Sequence, residues 1–237
     1  MLLPEFCEEL FYFSNINLFE TNFKIYLKKV YKYNILETQT WLKRLNHRYT
    51  IKQLKNLKAL DLSYYQLIKI PTLILPNLQW LSLSNNYLKE LPTLNLPNLQ
   101  RLFLYNNKLT SVPNLNLPNL LSLNLENNQL TSIPDLKFNL PNLQYLFLSD
   151  NKLTSLPNLN LPKLQYLSLS RNKLTSLSNL NLPKLQDLNL ENNQLIKISN
   201  LNLPNLLILS LLNNQVSKKS KIYLKSLKIN RLYMDKN

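Results

Sequence analysis

The phrase LPNLQWLSLSNNYLKELPTLN, residues 75–95, is followed at once by LPNLQRLFLYNNKLTSVPNLN, residues 96–116. The phrase continues to recur along the chain, and each copy opens with a leucine and a proline. These prolines lie 21 or 23 residues apart, at Pro76, Pro97, Pro118, Pro141, Pro162, Pro183 and Pro204. Self-similarity with a fixed period of roughly 20–50 residues is typical of solenoids, in which each repeat stacks on the next. The sequence therefore predicts one stacked array.

The positions shared by the copies read L-x-x-L-x-L-x-x-N-x-L, as at Leu78, Leu81, Leu83, Asn86 and Leu88. Successive residues of a strand lie on opposite faces, so the leucines of L-x-L share one face and the residues between them share the other. One strand cannot bury its leucines alone, whereas stacked copies build a continuous apolar core. Each asparagine lies where the chain leaves the strand, and its amide can satisfy backbone groups of its own turn and of the next turn.

This pattern resembles the leucine-rich repeat family. The resemblance implies a curved right-handed solenoid with a parallel β-sheet on its concave face and a role in protein recognition on that face. Eight repeats cover about residues 54–223. They begin near Leu54, Leu75, Leu96, Leu117, Leu140, Leu161, Leu182 and Leu203. A ninth, broken half-repeat with Leu224, Leu227 and Leu232 is expected to form a basic C-terminal cap over residues 224–237.

The segments that join consecutive strands are short, and most contain a second proline, as at Pro113 and Pro157. Proline lacks a backbone N–H and disfavours helix interiors, so we expect 3₁₀ or polyproline turns on the convex face and no α-helices there. Serine replaces this proline at Ser178 and Ser199. The replacement predicts that the last repeats are looser.

Residues 1–53 do not follow the repeat and are expected to be helical. Phe19, Phe23, Leu27 and Val30 have helical spacing, and a second helix is predicted near Thr38. The residues expected to face inward from that second helix are Trp41, Leu42 and Leu45. A small helical module of this kind can act as a cap that shields the apolar edge of the first repeat.

The same flank also resembles a diverged F-box, through Leu3, Pro4, Glu5, Phe6, Leu10, Trp41 and Leu45. That family is a helical module that docks on the adaptor of cullin ubiquitin ligases and often precedes leucine-rich repeats. The resemblance implies that such an adaptor is a partner of residues 1–53 and that the repeats receive the substrate. Both interpretations of the flank, cap and F-box, stay open at the level of the sequence.

Several chemistries are excluded by composition. The 237 residues contain no glycine, which excludes glycine-rich phosphate loops and nucleophile elbows. Cys7 is the only cysteine, so a disulfide within the chain and a cysteine zinc site are impossible. Acidic neighbours disfavour the Cys7 thiolate, and His47 is the only histidine and lacks an evident carboxylate partner. We therefore expect no catalytic residues, no metal and no cofactor.

The N-terminus lacks the pattern of a signal peptide, and no apolar run is long enough to span a bilayer. We expect an intracellular, most simply cytoplasmic, protein that does not bind membranes. The net charge is +15, and residues 216–237 hold seven of the 28 basic residues against one acidic residue. A basic, nucleic-acid-associated protein is therefore an alternative to a protein-recognition scaffold.

The predicted exposed strand face argues against that alternative, because nucleic-acid grooves are lined with lysine and arginine. Arg101 is the only basic residue among its positions, and the aromatic and acidic residues outnumber it. We expect nucleic acid not to bind there, and we expect a protein partner instead. The candidate partner-binding residues are Trp80, Arg101, Phe103, Tyr105, Glu126, Tyr145, Phe147, Tyr166, Asp187 and Glu191.

Overall fold

The computed structural model describes residues 34–133, 140–157, 159 and 161–235. The chain divides into two compact units, Met1–Leu54 and Lys55–Asn237. Within the described residues, no helix is both long enough and apolar enough to cross a lipid bilayer.

In the first unit, residues 34–44 are helical. Ile35, Thr38 and Leu42 are its buried residues, at the spacing expected for one helix face. Thr38 lies inside the helix, and its hydroxyl donates to the Asn34 carbonyl at 3.1 Å, so the predicted start at Thr38 is wrong. Leu42 faces inward as predicted, whereas Trp41 and Leu45 are only half-buried. The predicted earlier helix and the F-box-like positions Leu3, Pro4, Glu5, Phe6 and Leu10 lie outside the described residues.

A second helix, Ile51–Asn56, starts with a reciprocal cap. The Thr50 amide donates to Gln53 Oε1 at 2.7 Å, and the Gln53 amide donates to Thr50 Oγ1 at 3.2 Å. This is the capping box, which satisfies two backbone donors that the first helical turn leaves unpaired. Its signal, threonine followed three residues later by glutamine, is present in the sequence.

The second unit is a parallel-sheet solenoid whose strands are three residues long. Its main sheet contains β1 (Ala59–Asp61), β2 (Trp80–Ser82), β3 (Arg101–Phe103), β4 (Ser122–Asn124), β5 (Tyr145–Phe147), β6 (Tyr166–Ser168), β8 (Asp187–Asn189), β10 (Ile208–Ser210) and β11 (Arg231–Tyr233), in that order. Consecutive strands pair in parallel with equivalent residues side by side, as Leu81 with Leu102 and Leu102 with Leu123. All eight predicted repeats supply one strand each, and β11 adds a ninth.

The leucines of the repeat form the core as predicted. Leu78, Leu81, Leu83 and Leu88 are all 0% exposed, and equivalent leucines of the neighbouring repeats are equally buried. Because every strand turns its central leucine to the same side, the opposite side of the sheet carries no core residues.

The asparagines of the repeat bind backbone groups inside the array. Asn128 Nδ2 donates to the carbonyls of Leu104 and Leu125 at 3.0 Å each, and its Oδ1 accepts from the Leu109 amide at 3.0 Å. Leu125 belongs to the asparagine's own turn, whereas Leu104 and Leu109 belong to the preceding repeat. The sequence predicted bonds to the following turn, and that direction is wrong. The structural role of the column stands, because buried backbone groups need partners.

The segments opposite the main sheet contain no helix between β1 and β10 in the described part of the chain. In the sixth and seventh repeats they form a second, two-stranded parallel sheet of β7 (Ser176–Ser178) and β9 (Lys197–Ser199). Ser178 and Ser199, which replace proline, pair with each other in this sheet. The predicted looseness of these repeats is wrong, because serine restores the N–H that proline withholds from a ladder.

A terminal helix, Lys218–Ser226, follows the eighth repeat, and Ser217 caps its start. The helix borders β9, with Ser220 and Leu224 as its buried residues. The chain then enters β11, which pairs in parallel with β10. The helix lies across residues 223 and 224, where the sequence predicts the boundary between the repeats and a C-terminal cap.

Candidate functional site

The side of the main sheet that carries no leucine core presents three rows of side chains, which we call the sheet face. The first row starts the strands: Ala59, Trp80, Arg101, Ser122, Tyr145, Tyr166, Asp187, Ile208 and Arg231. The second row ends them: Asp61, Ser82, Phe103, Asn124, Phe147, Ser168, Asn189, Ser210 and Tyr233. The third row lies two residues further on: Ser63, Ser84, Tyr105, Glu126, Ser149, Ser170, Glu191, Leu212 and Asp235. All ten sequence-predicted binding residues belong to these rows.

Four of the aromatic residues form two separate pairs. Trp80 and Phe103, on adjacent strands, meet edge to face with ring centroids 5.9 Å apart. Phe147 and Tyr166 meet at a tilt with centroids 5.1 Å apart. Both distances are within the favourable range for aromatic pairs. Strand β4, which carries no aromatic residue, separates the two pairs.

Serines expected to be exposed lie buried between these aromatics. Ser82 is 4% exposed and pairs in register with Phe103, and Ser168 is 4% exposed and pairs in register with Phe147. Their hydroxyls satisfy one another, as between Ser149 and Ser168, where the two oxygens are 2.5 Å apart. The serines are therefore a polar floor beneath the rings, and the rings supply the accessible apolar surface.

The remaining predicted residues surround these pairs. Tyr145 is 41% exposed, Arg101 is exposed, and Tyr105 is half-buried. Glu126, Asp187 and Glu191 are half-buried. The Glu191 carboxylate accepts a hydrogen bond from the Ser210 hydroxyl across the β8–β10 step.

Burial alters two titratable groups of the sheet face. Desolvation raises the pKa of the Asp187 carboxyl above its ordinary value, because burial disfavours the charged form. Desolvation also raises the pKa of the Tyr166 hydroxyl, and the nearby carboxylates of Asp187, Glu126 and Glu191 add to this effect, while a hydrogen bond with Ser168 opposes it. These two groups are neighbours, because Tyr166 and Asp187 are paired in register on β6 and β8.

The sequence predicts that the repeats end near residue 223, so it does not predict Arg231 and Tyr233 as part of the sheet face. These residues extend the first and second rows. Tyr233 is 45% exposed. A signal was available, because Leu232 follows Leu209 by 23 residues, the same spacing that separates Leu146 from Leu123.

His47 and Cys7 are the only histidine and the only cysteine of the chain. His47 stacks on Tyr49 with ring centroids 5.8 Å apart, and Cys7 lies outside the described residues. Within the described ranges, no group of three or more histidine, cysteine, aspartate or glutamate side chains is placed to hold a metal ion.

Comparison with known protein families identifies the repeats. A leucine-rich repeat model of two copies matches residues 76–116, 97–138 and 141–182, and a second leucine-rich repeat model matches residues 118–159. The array consists of leucine-rich repeats. A comparison with curated protein sequences finds no match.

Solved structures with leucine-rich repeats are similar to this chain. The leucine-rich repeat domain of a Shigella effector has a TM-score of 0.61 and 27% identity, over 78% of this chain and 86% of that domain. Internalin C2 from Listeria monocytogenes has a TM-score of 0.59 and 26% identity, over 84% of this chain and 92% of that chain. YopM from Yersinia enterocolitica has a TM-score of 0.55 and 25% identity, over 85% of this chain. The chain spans only about half, 54%, of YopM. Leucine-rich repeat domains are typically non-enzymatic scaffolds that bind protein partners on extended surfaces.

Proposed function

We propose that this protein is a non-enzymatic recognition scaffold that binds a protein partner on its sheet face, the face that the sequence predicts to be concave. The observation that carries the proposal is the pair of aromatic contacts, Trp80 with Phe103 and Phe147 with Tyr166, on the side of the sheet opposite the core. Partly exposed aromatic residues are the usual anchors of protein interfaces. The similar Shigella domain, which belongs to an effector, supports a role in recognition.

The size of the surface is adequate. Nine parallel strands make eight steps of about 4.8 Å, so the face is about 38 Å long. A standard protein interface buries roughly 800 Å² on each partner, which a face of this length can supply. The polar serine floor is already hydrogen-bonded, so a partner need not desolvate unpaired hydroxyls there.

The proposal is tested with the double variant Trp80→Ala, Phe103→Ala. These rings lie outside the leucine core, so we expect the fold to persist. Loss of an interface anchor costs about 2 kcal/mol or more, so partner affinity should fall at least about thirtyfold. Affinity purification from the native cell with quantitative mass spectrometry measures the loss for each captured protein.

The matched control is Ile68→Ala, Tyr87→Ala, which removes an exposed apolar and an exposed aromatic side chain that belong to none of the three rows. We expect the control to retain the partners that the first variant loses. Equal capture by both variants would contradict binding on the sheet face.

The F-box interpretation of residues 1–53, with a cullin-ligase adaptor as a second partner, stays a prediction, as does the cap interpretation. Nucleic-acid binding through the basic C-terminal residues is likewise an alternative prediction. An intracellular location is part of the proposal and rests on the sequence.

A further inference from the structure

One half of the sheet face, from β4 to β8, combines aromatic rings with acidic groups. We call it the acidic aromatic half: Glu126, Tyr145, Phe147, Tyr166, Asp187 and Glu191. The other half, on β2 and β3, carries Trp80, Phe103 and Tyr105 with the exposed cation of Arg101. The two halves therefore offer different chemistry to a partner.

The acidic groups of this half are not neutralised within the described residues. Arg171 and Asp150 form an ion pair at 3.5 Å, but neither residue belongs to the three rows of the sheet face. The Asp187 carboxylate accepts no hydrogen bond from any described residue, although it is half-buried. A half-buried carboxylate without a donor or a cation is costly for the free protein.

The cations of the sheet face are not on the strands next to Asp187, whose neighbours in the first row are Tyr166 and Ile208. In the first row, Arg101 lies four strand steps before Asp187, and Arg231 lies two steps after it. At about 4.8 Å per step these separations are about 19 Å and 10 Å. Charges exposed to solvent are largely screened beyond about 8 Å at physiological salt. Within the three rows, the acidic aromatic half therefore holds three acidic residues and no basic residue, in a chain whose net charge is +15.

Tyr166 lies beside Asp187, because the two residues are paired in register on the adjacent strands β6 and β8. Its ring also contacts Phe147. A lysine or arginine placed over a tyrosine ring gains cation–π attraction in addition to its attraction to nearby carboxylates. A basic side chain is therefore the group that this half accommodates best.

We infer that the partner is a basic, extended protein segment that presents a lysine or arginine to Tyr166 and Asp187 and an apolar side chain to the Trp80–Phe103 pair. This inference rests on the proposed function, because it specifies the partner of the same face. Complementary charge speeds the association of a basic segment with the acidic aromatic half, and like charge disfavours the binding of acidic segments there.

The geometry also gives the spacing between the two recognised side chains. From the middle of the Trp80–Phe103 pair to the middle of the Tyr166–Asp187 pair there are four strand steps, about 19 Å. An extended chain covers about 3.3 Å per residue, so the apolar and basic residues of the partner are about six positions apart.

The experiment uses a phage-displayed library of random linear decapeptides, selected on the full-length protein. We expect selected peptides to contain lysine or arginine about six positions from a large apolar residue, enriched about threefold or more over the library. A synthetic peptide of that pattern is then measured by fluorescence anisotropy. Its Kd should rise about tenfold with Glu126→Gln, Asp187→Asn, Glu191→Gln, and about threefold with Asp187→Asn alone.

The matched control is Glu37→Gln, Glu90→Gln, Asp150→Asn, which changes the net charge equally at positions outside the three rows. We expect it to change the Kd less than about twofold. Equal weakening in both triple variants, or no enrichment of basic residues, would overturn the inference. Asp187→Asn replaces a carboxylate that accepts no described hydrogen bond, so the single variant keeps the test valid if the triple variant unfolds.

The outcomes separate this inference from the proposed function. If selected peptides depend on Trp80 and Phe103 but show no basic preference, the inference fails and the proposed function stands. If selected peptides bind equally well to the Trp80→Ala, Phe103→Ala variant and to the triple carboxylate variant, both fail.

Discussion

The chain contains no glycine, yet every repeat has left-handed backbone where it leaves the strand, and asparagine occupies that position in five of the eight repeats. The residue three positions after each strand of the eight repeats in the main sheet has φ between 50° and 64°, and it precedes the core asparagine in seven repeats and Tyr65 in the first. These residues are Tyr64, Asn85, Asn106, Asn127, Asp150, Arg171, Asn192 and Asn213. Asparagine tolerates this region better than other residues with a Cβ. The paired asparagines therefore divide two tasks: the first makes the turn, and the second binds the buried backbone.

The first asparagines also bind one another along the outside of the array. Asn106 Nδ2 donates to Asn85 Oδ1 at 2.7 Å, and Asn127 Nδ2 donates to Asn106 Oδ1 at 2.7 Å. The row ends at Asn85, whose own Nδ2 is buried and has no acceptor. Tyr64 occupies the position from which an asparagine oxygen would accept that bond.

Tyr64→Asn is therefore expected to stabilise the protein by about 1 kcal/mol, because it supplies the missing acceptor and relieves a left-handed tyrosine. The Tyr64 ring is 75% exposed, so its removal sacrifices little packing. Chemical unfolding followed by circular dichroism measures the change. Tyr64→Ala, which removes the ring without adding an oxygen, should give no gain, and equal stabilisation by both variants would contradict the argument.

At the scale of elements, the L-x-L pattern placed every strand that the eight repeats contribute to the main sheet, because burial of alternating leucines fixes both strand and register. It also placed all ten candidate residues on one face. The second sheet of β7 and β9 was not predicted. Within a single repeat, replacing proline by serine, as at Ser178 and Ser199, indicates only a less rigid segment. Only stacking reveals that two neighbouring repeats regain N–H groups that can pair with each other.

The burial of the face serines was equally invisible in the sequence. Small hydroxyl residues in strands read as solvent-exposed, and their burial depends on which ring the neighbouring strand places beside them. Ser82 lies next to Phe103 only because the register aligns these positions 21 residues apart. The division of the aromatics into two pairs could have been read from the polar residues of β4, Ser122 and Asn124.

The terminal helix closes the outer edge of the second sheet. The Ile198 amide in β9 donates to Ser220 Oγ at 2.9 Å, and the Leu201 amide donates to the Tyr223 hydroxyl at 2.7 Å. Side chains of the helix thus replace the strand that a further repeat would have supplied. Covering an edge in this way prevents pairing with other chains.

Ser220→Ala should therefore destabilise the protein by about 1–3 kcal/mol, because it leaves the Ile198 N–H buried without an acceptor. Amide hydrogen exchange observed by NMR should show faster exchange at Ile198. Ser226→Ala is the control, because the Ser226 hydroxyl bonds only the exposed Tyr223 carbonyl at the end of the same helix, and it should cost under about 0.5 kcal/mol. Unchanged exchange at Ile198 in the first variant would refute this role for Ser220.

For the whole molecule, the distribution of charge matters more than its sum. The net charge of +15 coexists with acidic residues on the sheet face, and the terminal helix carries Lys218, Lys219 and Lys221 in its first turns without any acidic residue in the first turn. Cations near a helix N-terminus oppose the helix dipole and cost about 0.3–1 kcal/mol each. We call Lys218, Lys219 and Lys221 the basic patch. These lysines lie on the terminal helix and not in the three rows of the sheet face, and their position at the helix N-terminus does not favour helix stability.

The variant Lys218→Glu, Lys219→Glu, Lys221→Glu separates the two surfaces. Negative charges near the N-terminus of a helix interact favourably with the helix dipole, so we expect the variant to keep its fold or to be slightly more stable. We also expect its sheet face to capture the same partners. The matched control is Lys69→Glu, Lys89→Glu, Lys173→Glu, which makes the same change of charge at exposed sites in the repeats. The salt concentration that elutes the protein from immobilised double-stranded DNA should be lower for the helix variant than for this control. If instead the helix variant loses the captured proteins while Trp80→Ala, Phe103→Ala keeps them, the basic patch is the binding surface. Selective retention of one nucleic-acid sequence by the wild type, lost in the helix variant, would then replace the scaffold proposal with nucleic-acid binding.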